Sequence, residues 1–246
     1  MKAIIFAAGL GTRLKPITDT MPKALVPVCG QPLLYHVIQK LKAAGYDDLV
    51  VNVHHFPDQI RQYLAANDFG VRISISDESD RLLETGGAIL HARPLLSGEP
   101  FLVHNVDIVS NLDLGWFRQQ CLPGAMACLL VSSRQTRRYL LFEPETMRLA
   151  GWTDTSTGEV RSPYPDLDTS RCIRYAFAGI HYLSPLVFDA MDALSMPEHF
   201  PIMDFYLQAC DRYPIYGIPA PDLRLVDVGK LDTLPEAERI CAELLV

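Results

Sequence analysis

Short apolar runs alternate with amphipathic stretches along most of this chain. The apolar run at residues 3–8 predicts a buried strand, and apolar residues at helical spacing predict a helix over residues 32–44. The same patterns predict strands at 48–53, 71–75, 101–104, 172–178, 215–218 and 225–228, and helices at 57–66, 86–96, 185–193, 202–211 and 234–245. This alternation favours an α/β fold with a mixed, mainly parallel sheet flanked by helices.

Residues 134–174 are less regular and richer in polar residues, proline and glycine. We interpret this stretch as hairpins and loops that project over the sheet and form a lid or a wall for the substrate. The chain has no internal repeat, low-complexity tract or linker-like segment. Its 246 residues match the roughly 250 residues that a single α/β unit often has. We therefore predict one domain over residues 1–246.

The composition is that of an ordinary globular protein, and the charge narrows the choice of partners. Hydrophobic residues make up 49% of the chain, which supports a sizeable core. The net charge of −7 argues against a nucleic-acid polymer as partner, because such binders usually carry a basic face. It does not argue against a nucleotide, which a few local cations can hold.

Neither membrane insertion nor secretion is expected from the sequence. No apolar run approaches the roughly 20 residues that a transmembrane helix needs, and Met1-Lys2 leads directly into the first strand. The 6 cysteines are widely scattered and form no C-x-x-C pair, so neither a zinc ribbon nor a thioredoxin-like motif is expected. Reduced, mostly buried thiols are typical of cytoplasmic proteins, and we predict that location.

A glycine-containing loop follows the first predicted strand. Gly9 and Gly11 lack a Cβ atom, so the backbone can turn sharply and offer N–H groups to a phosphate. Arg13 adds a planar set of donors for phosphate oxygens, and Lys23 adds a second, more mobile positive charge. The spacing does not fit the G-x-G-x-x-G motif of dinucleotide-dependent oxidoreductases, and no G-K-[ST] of a Walker A loop occurs. The pattern therefore predicts a phosphate-binding loop of another kind.

Two aspartates that follow apolar strands indicate a metal site. Asp107 comes after the strand at 101–104, and Asp227 lies in the short strand at 225–228. Ligands gather at the carboxyl ends of strands in open α/β sheets, so we expect the two carboxylates to converge there. Magnesium is commonly held by one or two carboxylates together with substrate phosphates. Taken alone, an aspartate after a strand is more often a turn former or a helix cap.

The segment L-E-T-G-G-A, residues 83–88, is expected to open a helix. Gly86 and Gly87 permit close approach of a flat group, and the helix N-terminus offers N–H donors. These features are consistent either with a nucleoside-binding segment or with a glycine-rich helix start that has no further role.

The string G-L-G-T-R-L-K-P followed by P-K-A-L-V-P-V resembles the signature of the sugar-1-phosphate nucleotidyltransferases. The resemblance extends over nearly the whole chain, through E-T-G-G, the strand before Asp107, Phe177-Ala178-Gly179 and the D-V-G at 227–229. Within that family the chain is most similar to the compact N-acetylmuramic acid 1-phosphate uridylyltransferases. The resemblance implies a Rossmann-like (GT-A-like) fold. It also implies transfer of a nucleoside monophosphate from a triphosphate, with UTP favoured, to a sugar 1-phosphate, with release of pyrophosphate.

The resemblance further implies roles for individual residues. Arg13 and Lys23 are the candidate catalytic residues, at the leaving pyrophosphate and at the α-phosphate, and Asp107 and Asp227 are the candidate ligands of Mg²⁺. The remaining candidates contact the two substrates. They are Ala8, Gly9, Gly11, Thr12, Glu84, Thr85, Gly86 and Gly87 for the nucleotide, and Asn105 and Gly179 for the sugar phosphate.

Two departures from the family pattern leave the second substrate open. Val106 stands where glycine is common, and no E-K-P triplet supplies the lysine that contacts the sugar phosphate. Arg134, Arg137 and Arg138 are candidates for that contact, although an exposed basic cluster is more often a solvated face. Mannose 1-phosphate, heptose phosphates and phosphocholine stay open as acceptors. The alternative function is a non-catalytic nucleotide-sugar sensor, and the sequence does not decide between a monomer and a dimer.

Overall fold

The computed structural model describes residues 1–244. The strands are β1 (Lys2–Phe6), β2 (Pro27–Val28), β3 (Gln31–Pro32), β4 (Asp48–Val53), β5 (Arg72–Asp77), β6 (Phe101–Asn105), β7 (Ile108–Ser110), β8 (Ala127–Ser132), β9 (Arg138–Phe142), β10 (Leu149–Asp154), β11 (Glu159–Arg161), β12 (Ile173–Leu183), β13 (Ile215–Pro219) and β14 (Leu225–Asp227). The helices are α1 (Leu33–Ala43), α2 (Pro57–Ala66), α3 (Glu84–His91), α4 (Arg93–Leu96), α5 (Leu114–Gln120), α6 (Leu186–Ala193), α7 (Ile202–Ala209) and α8 (Leu234–Leu244). Position 245, where the last predicted helix ends, lies outside the described residues.

Most strands assemble into one mixed, ten-stranded sheet. Its order is β11-β10-β9-β12-β6-β1-β4-β5, with β8 paired to β12 and β13 paired to β8. β1 lies between β4 and β6, and β5 pairs with β4, all in parallel. Helices cover both faces, which confirms the predicted α/β class. Since parallel strands point the same way, the loops after β1, β4, β5 and β6 leave from one edge of the sheet.

The side chains of β1 show how the sheet separates two hydrophobic cores. Ala3 and Ile5 belong to the core that includes α1 and α8, whereas Ile4 belongs to the core that includes α3, α6 and α7. All three are fully buried, as expected where successive side chains alternate between the two faces of a doubly covered sheet. This packing fixes the end of β1, and with it the start of the loop that follows.

Helix α1 has the stripe of apolar residues that predicted it. Leu34, Ile38 and Leu41 are fully buried and lie at helical spacing on the side that faces the sheet. The chain leaves the helix through Gly45, whose φ of 85° lies in the left-handed region that glycine adopts at low cost.

The 134–174 stretch contains the predicted hairpins, but they do not project over the sheet. β9, β10 and β11 pair antiparallel with one another and extend the sheet beyond β12. The reason is the length of β12, because its residues 180–183 pair with β6 and leave residues 173–175 free to pair with β9. The expected lid is thus a continuation of the sheet at its edge.

Other differences concern element boundaries. The helix predicted at 86–96 begins at Glu84 and ends at His91, and Pro94 lies in the separate short helix α4, because proline has no N–H to continue the first one. β7, α5 and β8 have no counterpart among the predicted elements. No helix within residues 1–244 is both long and apolar enough to cross a membrane. The single domain over residues 1–246 stays a prediction, which the continuous sheet supports.

Candidate active site

A cavity of about 570 Å³ opens at the edge of the sheet where β1, β4, β5 and β6 end. Most of the predicted site residues line it: Ala8, Gly9, Gly11, Thr12, Arg13, Lys23, Glu84, Thr85, Asn105 and Asp107. The other predicted site residues are not part of the lining: Gly86, Gly87, Gly179 and Asp227. The fold therefore gathers residues from distant parts of the sequence around one space, while their individual roles stay predictions.

The loop after β1 folds tightly on itself. Gly11 has a φ of 64°, in the left-handed region that disfavours a side chain. A Cβ atom there would lie 2.8 Å from Thr18 Cγ2 and 3.1 Å from Lys23 Cβ. Leu14 N and Thr18 Oγ1 each donate a 2.8 Å hydrogen bond to the Gly11 carbonyl. Glycine is thus required here on two grounds, and the tight fold brings Lys23 against the loop.

The same loop offers backbone donors to the cavity. Ala7 N and Ala8 N both donate to Asn52 Oδ1, over 2.6 and 3.2 Å. In the described part of the chain, the N–H groups at positions 9–11 donate no hydrogen bond. Unused N–H groups beside the Arg13 guanidinium form a site suited to phosphate oxygens.

Lys23 lies between the two predicted metal ligands. Its Nζ donates a hydrogen bond to Asp107 Oδ2 and lies 3.9 Å from Asp227 Oδ1. The lysine side chain is 10% exposed, compared with 20% for Asp107 and 46% for Asp227. A largely buried cation therefore holds together two carboxylates that would otherwise repel each other.

Asp227 shows the electrostatic consequence of this contact. Burial and the Asp107 carboxylate raise the pKa of Asp227, while the charges of Lys23 and Arg13 act in the opposite direction. The Arg13 guanidinium can approach Asp227 because residue 229 is a glycine. A Cβ atom on Gly229 would lie 2.8 Å from Arg13 Nη2 and 2.9 Å from Asp227 Oδ1. Two cations and two carboxylates thus form one cluster at the cavity.

A long-range strand pair brings the carboxylates together. Asp107 lies between β6 and β7, and Asp227 is the last residue of β14. β7 and β14 form a separate antiparallel ribbon, in which Asp227 faces Ile108. Val228 N also donates to the Asp107 carbonyl over 2.8 Å. The two aspartates lie close together, but by a route that differs from the expected meeting of strand ends in one parallel sheet.

The two carboxylates fit a divalent cation such as Mg²⁺. Their oxygens are hard ligands, and one or two carboxylates suffice where substrate phosphates complete the coordination. Residues 1–244 contain no group of three or more His, Cys, Asp or Glu side chains that could hold a metal by themselves. A cation would also relieve the repulsion that raises the pKa of Asp227. The pair is therefore suited to a metal that is held jointly with the substrate.

The first half of the E-T-G-G segment faces the cavity. Glu84 and Thr85 line it, and the φ of 62° at Glu84 is unusual for a residue with a side chain. Thr85 Oγ1 also accepts a hydrogen bond from Ile202 N over 2.9 Å, which links this segment to the start of α7. These two residues are placed where a bound nucleotide could contact them.

The second half of that segment packs into the protein, and the N–H groups of its two glycines are not free as expected, while their contact with a nucleotide stays a prediction. Gly86 N and Gly87 N donate to the Phe200 carbonyl over 2.9 and 3.1 Å, so these helix-terminal donors already have an acceptor. A Cβ atom on Gly87 would lie 2.1 Å from the Glu198 carbonyl oxygen, and one on Gly86 would lie 2.2 Å from the Phe200 ring. Close packing of α3 against residues 198–200 explains both glycines without a ligand.

Asn105, which is predicted to contact the sugar phosphate, and Val106 form one wall of the cavity. Both line the cavity, and the Val106 side chain packs into the hydrophobic core below it. Gly179 lies behind this wall at an irregularity of β12, with a φ of 73°. A Cβ atom there would lie 2.9 Å from Asn105 Nδ2. Gly179 therefore makes room for Asn105, and its own contact with a sugar phosphate stays a prediction.

The basic residues at the start of β9, predicted as candidates for the sugar-phosphate contact, lie outside the cavity lining. Arg134 Nη2 donates to the Phe177 carbonyl over 3.0 Å, and Arg138 Nε lies 3.6 Å from Asp154 Oδ2. Arg134, Arg137 and Arg138 are not buried. Contact of this cluster with a sugar phosphate stays a prediction.

Two buried polar residues of the cavity are absent from the sequence prediction. Asn52 and Glu78 line the cavity, and each is only 3% exposed. Asn52 lies in the otherwise apolar second half of β4, and Glu78 follows β5. A polar residue at a buried strand end usually has a specific hydrogen-bond partner, and this was the signal available in the sequence.

Comparisons with known proteins agree with this arrangement. A family model described as Nucleotidyl transferase matches residues 2–243. The N-acetylmuramate alpha-1-phosphate uridylyltransferase of Neisseria meningitidis is 33% identical over 243 residues, which cover 98% of both chains. The protein of that name from Caulobacter vibrioides is 46% identical over 110 residues, which cover 44% of this chain and 46% of that protein. Mannose-1-phosphate guanylyltransferase 1 of Arabidopsis thaliana is 38% identical over 202 residues, which cover 78% of this chain and 52% of that protein.

A solved structure of UDP-glucose pyrophosphorylase complexed with UDP-glucose shares the fold. Its TM-score with this chain is 0.75 at 18% sequence identity, and the match covers 99% of this chain and 98% of that one. The family match over residues 2–243 and the full-length relative identify the chain as a sugar-1-phosphate nucleotidyltransferase, an enzyme that acts on a nucleoside triphosphate and a sugar 1-phosphate. The chain belongs to the nucleotidyl transferase family. The named enzymes among these relatives favour catalysis over the alternative of a non-catalytic sensor.

Proposed function

We propose that this enzyme transfers UMP from UTP to N-acetylmuramic acid 1-phosphate and forms UDP-N-acetylmuramic acid and pyrophosphate. The observation that carries the proposal is the full-length match to the Neisseria meningitidis uridylyltransferase, over 98% of both chains. The shorter match to the Caulobacter vibrioides protein of that name supports the same pair of substrates.

In this proposal the triphosphate binds along the loop after β1. The unused N–H groups at positions 9–11 donate to phosphate oxygens, and the exposed Arg13 guanidinium binds the β- and γ-phosphates. Lys23 lies deeper, beside Asp107, and contacts the α-phosphate. The nucleoside extends toward Glu84 and Thr85, which also line the cavity. The second substrate lies against Asn105, with Gly179 behind it.

The reaction requires orientation and charge neutralisation and no nucleophile from the protein. An oxygen of the sugar phosphate attacks the α-phosphorus in line with the departing pyrophosphate, so one P–O bond forms as another breaks. Arg13 and Lys23 face the two phosphate groups on which negative charge increases, and Lys23 acts from a largely buried position where its charge has most effect. We propose Asp107 and Asp227 as ligands of Mg²⁺, which when bound neutralises phosphate charge and aligns the two substrates.

A guanylyltransferase is the second candidate function. It is favoured by the Arabidopsis thaliana mannose-1-phosphate guanylyltransferase, which is 38% identical over 78% of this chain. This chain spans about half of that relative's length. Mannose 1-phosphate and GTP are therefore included as the competing substrate pair, with phosphocholine and heptose phosphates as further acceptors.

Pyrophosphate release from the purified enzyme tests these alternatives. UTP, GTP, CTP, dTTP and ATP are crossed with N-acetylmuramic acid 1-phosphate, mannose 1-phosphate, glucose 1-phosphate, a heptose phosphate and phosphocholine, with Mg²⁺ present. We expect the highest kcat/KM for UTP with N-acetylmuramic acid 1-phosphate. Faster turnover of GTP with mannose 1-phosphate would replace the first proposal by the second. Product identity is confirmed by mass spectrometry.

The location and assembly of the enzyme stay open. All 6 cysteines are free thiols in the structure, and thiols persist in reducing compartments. We therefore keep the cytoplasm as a proposal, and the oligomeric state as a question for light scattering.

A further inference from the structure

Asn52 and Glu78 join three segments around the cavity through a buried hydrogen-bond network. Asn52 Oδ1 accepts from Ala7 N and Ala8 N, over 2.6 and 3.2 Å. Asn52 Nδ2 donates to Glu78 Oε1 over 2.8 Å, and Glu78 Oε2 accepts from Leu83 N over 3.2 Å. Each polar atom of the two side chains thus has a partner, as buried polar groups require.

The network connects the two segments that are placed to bind a nucleotide. Ala7 and Ala8 begin the phosphate-binding loop, and Leu83 directly precedes Glu84 and Thr85. The loop follows β1 and the other segment follows β5, and these strands are not neighbours because β4 lies between them. Asn52 on β4 is therefore the bridge, and its side chain and that of Glu78 link the two segments across this strand.

Backbone contacts with the end of β4 also fix the position of Glu78. Glu78 N donates to the Val53 carbonyl over 2.8 Å, and the His54 Nδ1 lies 2.6 Å from the Glu78 carbonyl. The backbone at Glu78 is thus fixed to β4, so the carboxylate reaches Asn52 without a change in strand register. Because Asn52 and Glu78 also line the cavity, a shift of either side chain changes the space available to a ligand.

We propose that Asn52 and Glu78 are positioning residues that set the distance between the phosphate-binding loop and the segment of Glu84 and Thr85, and thereby the KM for the nucleoside triphosphate. The inference rests on the proposed binding of the nucleotide between the two walls. It assigns no direct contact with the reacting phosphates. It separates the two substrates, because the sugar phosphate is proposed to lie at Asn105 on β6, whereas the network joins the loop after β1, Asn52 on β4 and the segment after β5.

Single substitutions break the network in opposite ways. Glu78→Gln keeps an acceptor for Leu83 N but turns an N–H donor toward Asn52 Nδ2, so two donors face each other. Asn52→Asp keeps the acceptor for the loop but places a second carboxylate against Glu78. A buried polar group without its partner costs enough free energy to shift the local structure.

The reciprocal exchange, Asn52→Asp with Glu78→Gln, restores every hydrogen bond. The new carboxylate at position 52 accepts from the loop with one oxygen and from the new amide nitrogen at position 78 with the other. The amide oxygen at position 78 still accepts from Leu83 N. Only the direction of the central hydrogen bond is reversed, so the wall-to-wall distance is kept.

The experiment measures KM for both substrates, kcat and the melting temperature of wild type, both single variants and the double variant. The triphosphate used is whichever one the wild type turns over best, so an error in assigning UTP does not affect the test. We expect KM for the triphosphate to rise about tenfold or more in each single variant, with KM for the sugar phosphate within about twofold. In the double variant the KM for the triphosphate returns to within about threefold of wild type.

A matched control removes a buried hydrogen bond away from the cavity. Tyr206→Phe deletes the hydroxyl that contacts His181 Nδ1 in the core, and it should lower the melting temperature without changing either KM. The proposal is overturned if the single variants behave like this control, losing stability with an unchanged KM for the triphosphate. It is also overturned if the double variant is no better than the single ones. An inactive wild type across all substrate pairs would refute the proposed function instead.

Discussion

Replacing Lys23 by methionine should destabilise the enzyme and increase its response to Mg²⁺. Methionine keeps a similar apolar side-chain volume, so the main change is loss of the charge. Asp107 then loses the ammonium group that donates to its Oδ2, and Asp227 loses one of two cations that oppose the rise in its pKa. Two adjacent carboxylates remain in a partly buried site.

The size of the effect follows from the exposure of the three side chains. Removing one partner of a fully buried ion pair typically costs about 3–5 kcal/mol. Lys23 and Asp107 are 10% and 20% exposed, and Asp227 is 46% exposed, so solvent compensates for part of the loss. We expect a decrease of about 2 kcal/mol in the free energy of unfolding at pH 7.

The effect should depend on pH with a defined sign. The pKa of Asp227 is raised in the folded state, and removal of Lys23 raises it further. A raised carboxyl pKa favours the folded state at low pH and costs stability once the group ionises. The difference between wild type and variant should therefore grow as the pH rises through the folded pKa of Asp227. It should shrink toward zero in acid, where the carboxyl is protonated in both states.

Urea unfolding with EDTA or with Mg²⁺ at matched ionic strength provides the measurement. Without Lys23 as a competitor, the carboxylates should bind Mg²⁺ more tightly than in the wild type. Mg²⁺ at 100 times the variant's Kd would then stabilise the variant by about 2.7 kcal/mol and offset the loss, and the same concentration would stabilise the wild type less. The matched control is Lys15→Met, because Lys15 pairs with Asp19 over 2.9 Å at an exposed position. It should change stability by less than about 1 kcal/mol and leave the Mg²⁺ response unchanged. Equal Mg²⁺ responses of wild type and Lys23→Met would refute the reasoning.

Three further predictions concern activity and the pH dependence of stability. Gly229→Ala should lower kcat/KM about tenfold or more with little change in melting temperature. The added Cβ would lie 2.8 Å from Arg13 Nη2 and would therefore displace the guanidinium group, and unchanged steady-state kinetics would contradict this. Lys40 has a pKa lowered to about 8 by burial, so the unfolded state binds more protons between pH 8 and 10.5. Wild type should therefore gain up to about 3 kcal/mol in urea unfolding relative to Lys40→Met over that interval. Burial lowers the pKa of His181 to about 3, so the stability of the folded state that depends on a neutral His181 decreases as the pH falls below 6.5. The double variant His181→Phe with Tyr206→Phe should lose stability in acid less steeply than wild type, by about 1.4 kcal/mol per pH unit in urea unfolding between pH 6 and 4.5.

The parts of the site that the sequence predicts are those formed by residues close together in the chain. The loop after β1 is an example, because an apolar strand, two glycines, Arg13 and Lys23 lie within 23 positions of the start of the chain. The strand and helix patterns are equally local, since side-chain periods of 2 and 3.6 residues report which face is buried. The α/β class therefore follows from the sequence alone.

The reason for a glycine often lies in a distant part of the chain, and the structure differs from the prediction at two such positions. Gly86 and Gly87 stand at a helix start, where free N–H groups are expected to meet a ligand. The structure gives those N–H groups to the Phe200 carbonyl, more than 110 positions further along the chain. The sequence indicates that a close approach occurs, but it does not state whether a ligand or another part of the chain approaches.

The sequence by itself determined the fold class, the candidate phosphate-binding loop and the choice of Asp107 and Asp227 as candidate metal ligands, because each depends on short runs of residues. Only the tertiary structure decided how they meet. The antiparallel pairing of β7 with β14 sets the two aspartates around Lys23, and the Asn52–Glu78 hydrogen bond joins the two walls of the cavity. Both contacts are long-range, and their partners are selected by packing of the whole sheet, so no local period or motif records them.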